Sequence, residues 1–75
     1  MNPARAAILL AFHDEYAVLT KHQILERAGL GDDRHIGDLM QMSLIGQKEW
    51  QPNAPRLYYL TARGRDKRDE CNVGD

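Results

Sequence analysis

The residue types that most often carry chemistry are few in this sequence, and their spacing matches no known site. The histidines and the single cysteine do not stand at the short spacings that are typical of metal ligands. They are His13, His22, His35 and Cys71. Asp32-Asp33 resembles a carboxylate pair, but acidic residues in such a place cap a helix. The sequence has no nucleophile–base arrangement and no glycine-rich phosphate loop. We therefore expect no enzymatic activity, no bound metal and no cofactor.

Basic residues are concentrated in one part of the chain. The net charge is −1, so the chain as a whole has no attraction for nucleic acid. Residues 48–68, however, hold only two acidic side chains, Glu49 and Asp66, against six basic ones, which are Lys48, Arg56, Arg63, Arg65, Lys67 and Arg68. This cluster either faces a phosphate backbone or is an ordinary solvated surface.

Length and composition predict one small intracellular domain. A chain of 75 residues has room for a single core, and a lone cysteine excludes an internal disulfide bond. No apolar run approaches the roughly 18 residues that cross a bilayer, and no basic leader precedes an apolar stretch. We expect a cytoplasmic protein without a membrane partner.

The first helix is predicted from Asn2-Pro3, a cap followed by a proline at the first helical position, to about Glu15. One arc of this helix, with Leu9 at its edge, carries apolar residues at helical spacing, namely Ala4, Ala7, Ile8, Ala11, Phe12 and Tyr16. Leu10 falls nearly opposite the arc. It is either an ordinary exposed leucine or part of a dimer seam.

A second, short helix is predicted after an extended segment at 17–19. Thr20 and Gln23 fit a capping box, in which each side chain bonds the other residue's amide. The helix ends at Ala28, because Gly29 suits the left-handed conformation that stops a helix.

A third helix is predicted over 34–43, after the turn and cap 31–33. Its buried side is expected to hold Ile36, Leu39 and Met40, and its other side to show Arg34, His35, Asp38, Gln41 and Met42. Two short helices joined by a tight turn make a helix-turn-helix unit.

Two strands, 47–51 and 56–60, are predicted on either side of a proline-containing turn at 52–55. If the turn has that length, Trp50 lies opposite Leu57. Trp50 then either covers part of the core or forms an exposed apolar patch with Leu57, and such patches often mark partner surfaces.

Thr61 is predicted to cap a last helix that runs to about Asp69, followed by a polar tail at 70–75 that frays. The predicted fold class is mainly α with a small β-hairpin (α+β): a three-helix core, a two-stranded wing and a C-terminal helix.

Two segments carry a resemblance to the winged helix-turn-helix superfamily, in the style of small MarR- and PadR-like prokaryotic regulators. Leu39-x4-Leu44-Ile45 resembles that family's leucine followed by "GLI", with Ser43 in place of the usual glycine. Tyr58-Tyr59-Leu60-Thr61-Ala62-Arg63-Gly64-Arg65 resembles its "YxLTxxGR" pattern. With the helix-turn-helix rhythm the resemblance covers about residues 4–68, and it implies a winged-helix domain at 1–69 followed by the tail.

The resemblance implies a sequence-specific DNA-binding protein that acts as a small transcriptional regulator. Its recognition helix, about 33–43, would enter the major groove of double-stranded DNA and its wing, 47–60, would reach the backbone or minor groove. The implied contact residues are Thr20, Lys21, His22, Arg34, His35, Asp38, Gln41, Met42, Lys48, Asn53 and Arg56. Arginine, glutamine and aspartate can each pair with a particular base edge.

Further expectations concern partners and origin. One module buries too little surface for high affinity, so a homodimer on a palindromic site is expected. The long dimerising helices and the ligand pocket of MarR-like sensors have no counterpart in the sequence, so no small-molecule ligand is expected. The small size suits a regulator from a phage or mobile element. The alternative is a winged-helix protein-interaction module or inhibitor that binds a protein partner through Leu10, Trp50 and Leu57.

Overall fold

The computed structural model describes residues 2–14, 16–48 and 52–73. Within these residues four helices and a small three-stranded antiparallel sheet form an α+β fold, which confirms the predicted class. In chain order the elements are α1 (Pro3–Ala11), β1 (Val18–Thr20), α2 (Lys21–Ala28), α3 (Arg34–Gln41), β2 (Ile45–Gln47), β3 (Leu57–Leu60) and α4 (Ala62–Val73). Among the described residues no helix has the length and apolar character needed to cross a membrane.

The helix starts lie where the sequence predicts them, because local capping signals set them. The Asn2 side chain accepts a hydrogen bond of 2.8 Å from the Ala4 amide at the start of α1. At the start of α2 the Gln23 amide donates to Thr20 Oγ1 over 3.2 Å. The Thr20 amide donates to Gln23 Oε1 over 2.9 Å, which completes the capping box. Each bond satisfies an amide that the helix itself leaves unpaired.

The two short helices α2 and α3 each end at a left-handed residue. The α2 helix ends at Gly29, with φ +71°, as predicted. The α3 helix ends two residues earlier than predicted, and Ser43 takes the left-handed conformation with φ +61°. The Ser43 amide donates to the Met40 carbonyl and the Leu44 amide to the Leu39 carbonyl, both over 3.0 Å. These two bonds form a Schellman motif, so a serine here serves where glycine is usual.

The core lies around α1, which packs against α2, α3 and α4. Its buried residues come from every element except α4, which contributes the partly buried Cys71, and they are Ile8, Leu9, Phe12, Leu19, Ile24, Ile36, Leu39, Leu44, Ile45, Tyr58 and Leu60. Because three helices pack around α1, a larger part of its circumference is buried than in a helix that packs on a flat surface. Leu9, predicted at the edge of the arc, is therefore completely buried.

The first helix is shorter than predicted. It ends at Ala11 rather than near Glu15, which lies outside the described residues, and Tyr16 is 81% exposed instead of buried. Two arginines from other helices satisfy carbonyls at this end: Arg27 donates to the Ala11 carbonyl over 3.3 Å, and Arg68 donates to the Phe12 carbonyl over 3.0 Å. Guanidinium groups suit the negative end of a helix dipole. Here they supply the hydrogen bonds that the amides of a further helical turn would otherwise donate to these carbonyls.

The hairpin has a different register from the predicted one. The strand predicted at 47–51 begins at Ile45 instead, and the Lys48 amide, not that of Trp50, lies opposite Leu57 and donates to its carbonyl over 2.8 Å. Trp50 itself lies outside the described residues. The sheet order is β1-β3-β2. The extended segment predicted at 17–19 is therefore strand β1, and its pairing with β3 adds a third strand to the predicted two-stranded hairpin.

Gly46 explains why the sequence pattern placed the start of β2 too late. Gly46 pairs with Tyr59, and a Cβ on Gly46 would lie 2.5 Å from the Tyr59 ring. The aromatic ring thus covers a strand glycine, which offers a packing surface where glycine has no side chain. Glycine otherwise disfavours strands, so the sequence alone suggested a break at this position.

The last helix is longer than predicted. It continues through Glu70 to Val73 rather than ending at Asp69, so part of the predicted polar tail is helical. Cys71 is partly buried and packs against the core. This apolar contact extends the helix by another turn, because packing of one face stabilises a helix more than its intrinsic propensity does.

The start of α4 is joined to the turn after α3 by several close contacts. Thr61 caps α4 as predicted, with its Oγ1 accepting from the Gly64 amide over 2.9 Å. The same hydroxyl lies 2.6 Å from the Ser43 carbonyl oxygen and 3.1 Å from that of Leu44. A Cβ on Gly64 would lie 1.8 Å from the Leu44 carbonyl oxygen. We call these four residues the Thr61–Gly64 junction.

Replacing Gly64 with alanine is expected to destabilise the fold, because the methyl group has no room beside the Leu44 carbonyl. Overpacking of this kind costs about 1–3 kcal/mol, measured as the free energy of unfolding in urea. Gly31→Ala is the matched control, since a Cβ at Gly31 meets nothing within 4 Å. Equal stability of the two variants would contradict the proposed packing at the junction.

Candidate nucleic-acid interface

The N-terminal ends of α2 and α3 lie side by side. Lys21 is the first residue of α2, Asp33 is the N-cap of α3, and Lys21 Nζ lies 2.7 Å from Asp33 Oδ2. The hydrogen bond and the charge attraction within this pair raise the pKa of Lys21 and lower the pKa of Asp33. Both helix ends, with their partial positive charge, therefore face the same side of the molecule.

Two shallow depressions open on this side, and they share Lys21. One lies between α2, α3 and β3 and is lined by Lys21, Asp33, Arg34, Ile36, Gly37, Met40 and Tyr58. The other lies between the start of α2 and the residues before β3, and it is lined by Thr20, Lys21, His22, Pro55 and Arg56. The two depressions adjoin at Lys21, and together they are treated as one surface. We call it the α2–α3 face.

The predicted contacts that meet on the α2–α3 face are Thr20, Lys21, His22, Arg34 and Arg56. Three of these carry a permanent positive charge, and they come from α2, α3 and the segment before β3. Gln41 is exposed on α3, two turns beyond Arg34. Backbone amides at helix N-termini and nearby cations are the groups that bind phosphate in proteins.

Acidic side chains partly neutralise the face. Besides the Lys21–Asp33 pair, Arg34 Nε lies 3.9 Å from Asp32 Oδ1. The Arg34 and Asp32 side chains are 77% and 68% exposed, and solvent-exposed pairs of this kind are weak. The Asp32 carboxylate therefore costs little to displace from Arg34. The Asp32 carboxylate also accepts a 3.2 Å hydrogen bond from the Arg34 amide, so Asp32 rather than Asp33 supplies the side-chain cap of α3.

His35 and Asp38 do not belong to the face, although the helical pattern predicted both there. Asp38 Oδ2 lies 3.2 Å from Arg5 Nη2 on α1 and 3.5 Å from His35 Nδ1. The His35 side chain is only 17% exposed. Asp38 thus pairs with α1 while its side chain stays 41% exposed, and His35 is mostly buried beside it. Contact of either residue with DNA stays a prediction.

The remaining predicted DNA contacts are exposed but line neither depression. Met42 is 39% exposed at the end of α3. Lys48 is exposed just after β2, and Asn53 is exposed in the turn with a left-handed φ of +68°. Asparagine tolerates this conformation better than most residues. These three positions are therefore not part of the face.

The residues predicted for a protein partner do not form one patch among the described residues. Leu10 is 38% exposed and lies in a groove between α1 and α4, beside Ala6 and Cys71. Leu57 is half-buried in β3, where it pairs with Thr20. Trp50 lies outside the described residues, so its role in such a patch stays a prediction.

Asp33 and Gly37 line the face, but the sequence did not predict them there, because it assigned Asp33 only to a cap. Arg5 lies outside the face, and its pairing with Asp38 was not predicted because the contact joins distant parts of the chain. Gly37 was passed over within α3, although a glycine inside a helix is a usable signal. Among the described residues no group of three or more potential metal ligands comes together.

Comparisons of this chain with protein-family models, with curated proteins and with solved structures give no match. The geometry of the α2–α3 face is therefore the basis for a functional assignment.

Proposed function

We propose that this chain is a winged helix-turn-helix protein that binds double-stranded DNA sequence-specifically and acts as a small transcriptional regulator. The observation that carries the proposal is the convergence of Lys21, Arg34 and Arg56 around the N-terminal ends of two helices. The order of elements, α1-β1-α2-α3-β2-β3-α4, supports the winged-helix assignment.

In this proposal α3 is the recognition helix. Its exposed stripe of Arg34, Gly37 and Gln41 faces base edges in the major groove, where arginine pairs with guanine and glutamine with adenine. Lys21 and the amides at the start of α2 contact phosphate and fix the register. Arg56, Lys48 and Asn53 extend this contact along the backbone or minor groove.

Regulation would follow from occupancy alone. The protein covers its DNA site and performs no reaction. A homodimer on a palindromic site doubles the number of contacts, since a single module buries too little surface for high affinity.

A second candidate function is protein binding, favoured by one observation. Leu10 is exposed in the groove between α1 and α4 and stands beside other apolar atoms. Salt distinguishes the two functions, because an apolar interface does not weaken steeply as the salt concentration rises.

The first test is a titration of mixed-sequence duplex DNA at several salt concentrations. The proposed phosphate contacts of Lys21, Lys48 and Arg56 predict a slope of log affinity against log salt of about −2.7. Binding should then be about 40-fold weaker at 200 mM than at 50 mM salt. Arg34→Ala and Arg56→Ala should each weaken binding, and a change in slope of about 1 marks the loss of a phosphate contact.

Arg63→Ala is the matched control, because Arg63 is exposed on α4 and lines neither depression. It should leave DNA affinity nearly unchanged. Absence of DNA binding by the native chain at low salt would refute the proposed function. Weakening by Arg63→Ala but not by Arg34→Ala would place the DNA on another surface.

A second test removes an acidic group from the α2–α3 face. Asp33→Asn takes away the carboxylate that pairs with Lys21, so Lys21 can bind phosphate and repulsion of the DNA falls. We expect DNA affinity to rise by about 3- to 10-fold at low salt, an effect that salt should screen. The measurement is a fluorescence-anisotropy titration with labelled duplex DNA.

Asp66→Asn on α4 gives the same change in net charge away from the face, and it should raise affinity much less. Equal effects of the two substitutions would show that only net charge matters. Weaker binding by Asp33→Asn would show that Asp33 holds Lys21 in its binding position.

A further inference from the structure

Gly37 occupies the interior of α3 without a structural reason. The helix has eight residues, and Gly37 has an ordinary helical φ rather than a left-handed one. A Cβ at this position would meet nothing within 4 Å. Alanine in a helix interior is favoured over glycine by a factor of about four to five in the folding equilibrium. The fold alone would therefore be more stable with alanine.

Three other glycines have reasons within the fold. Gly29 takes a left-handed φ, Gly46 lies under an aromatic ring, and Gly64 lies against a backbone carbonyl. Gly37 shares none of these features, although it lies within regular secondary structure. A local choice that lowers stability without internal compensation points to a function.

The position of Gly37 indicates which function. It lines the depression that also contains Lys21 and Arg34, with Asp33 at its edge. Arg34 lies one helical turn before Gly37 on the same side of α3, so the bare backbone is next to a permanent positive charge. The absence of a side chain lets another molecule reach the helix backbone directly.

We infer that Gly37 is a point of close approach, where the surface of double-stranded DNA packs directly against the α3 backbone in space that a side chain would fill. This inference rests on the proposed function and adds a specific contact to it. Gly37 sets how deeply α3 enters the major groove, and thereby brings Arg34 and Gln41 within reach of base edges.

The test compares Gly37→Ala and Gly37→Leu with Gly31→Ala, an exposed glycine whose added Cβ also meets nothing. Melting temperature and affinity for duplex DNA are measured for each variant and for the native chain. Gly37→Ala should raise the melting temperature by about 4 °C and weaken DNA binding about tenfold, since a methyl group forced into a packed contact costs that much or more. Gly37→Leu should weaken binding further, while Gly31→Ala stays within about twofold of the native chain.

Each other outcome has one meaning. If the native chain binds DNA and Gly37→Leu binds as tightly, the close approach is wrong while the proposed function stands. If Gly37→Ala lowers the melting temperature, the glycine has a structural role and the inference is overturned. If the native chain fails to bind DNA at low salt, the proposed function falls, and the inference falls with it.

Discussion

The close contact between Gly64 and the Leu44 carbonyl is the constraint on which the arrangement of the helices depends. It brings the start of α4 against the turn that ends α3, and the Thr61 hydroxyl bonds the same turn. The C-terminal end of α3 is thereby fixed, and Ser43 accepts a left-handed conformation to make the turn. Because one end of α3 is held, its other end is presented beside α2. The residues that resemble a family motif thus have a structural explanation that is independent of any ligand.

Two groups of basic side chains have different roles in this molecule. Arg27 and Arg68 satisfy carbonyls at the end of α1 and so belong to the fold. Lys21, Arg34 and Arg56 remain on the α2–α3 face. Net charge is therefore a poor guide to this molecule: a chain with a formal charge of −1 presents permanent cations around two helix N-termini. The proposed DNA binding depends on this distribution and not on an overall attraction.

Local signals in the sequence predicted what local interactions determine. The capping box at Thr20 and the left-handed stop at Gly29 each involve residues a few positions apart, so the short helices could be placed. The register of the hairpin could not, because Gly46 depends on the ring of Tyr59 across the sheet. The same limit applies to the site. Its cations could be predicted, but the pairing of Asp38 with Arg5 could not, because Arg5 is 33 residues away in the chain.

The most direct test of the central claim, that the α2–α3 face binds DNA, is to map the bound surface by amide NMR spectroscopy. The native, isotopically labelled chain is titrated with a short duplex at low salt. If the face binds DNA, the largest chemical-shift changes occur at the amides of residues 20–22, 34–37 and 56. Changes confined to the groove around Leu10 between α1 and α4, or no changes at all, would contradict it.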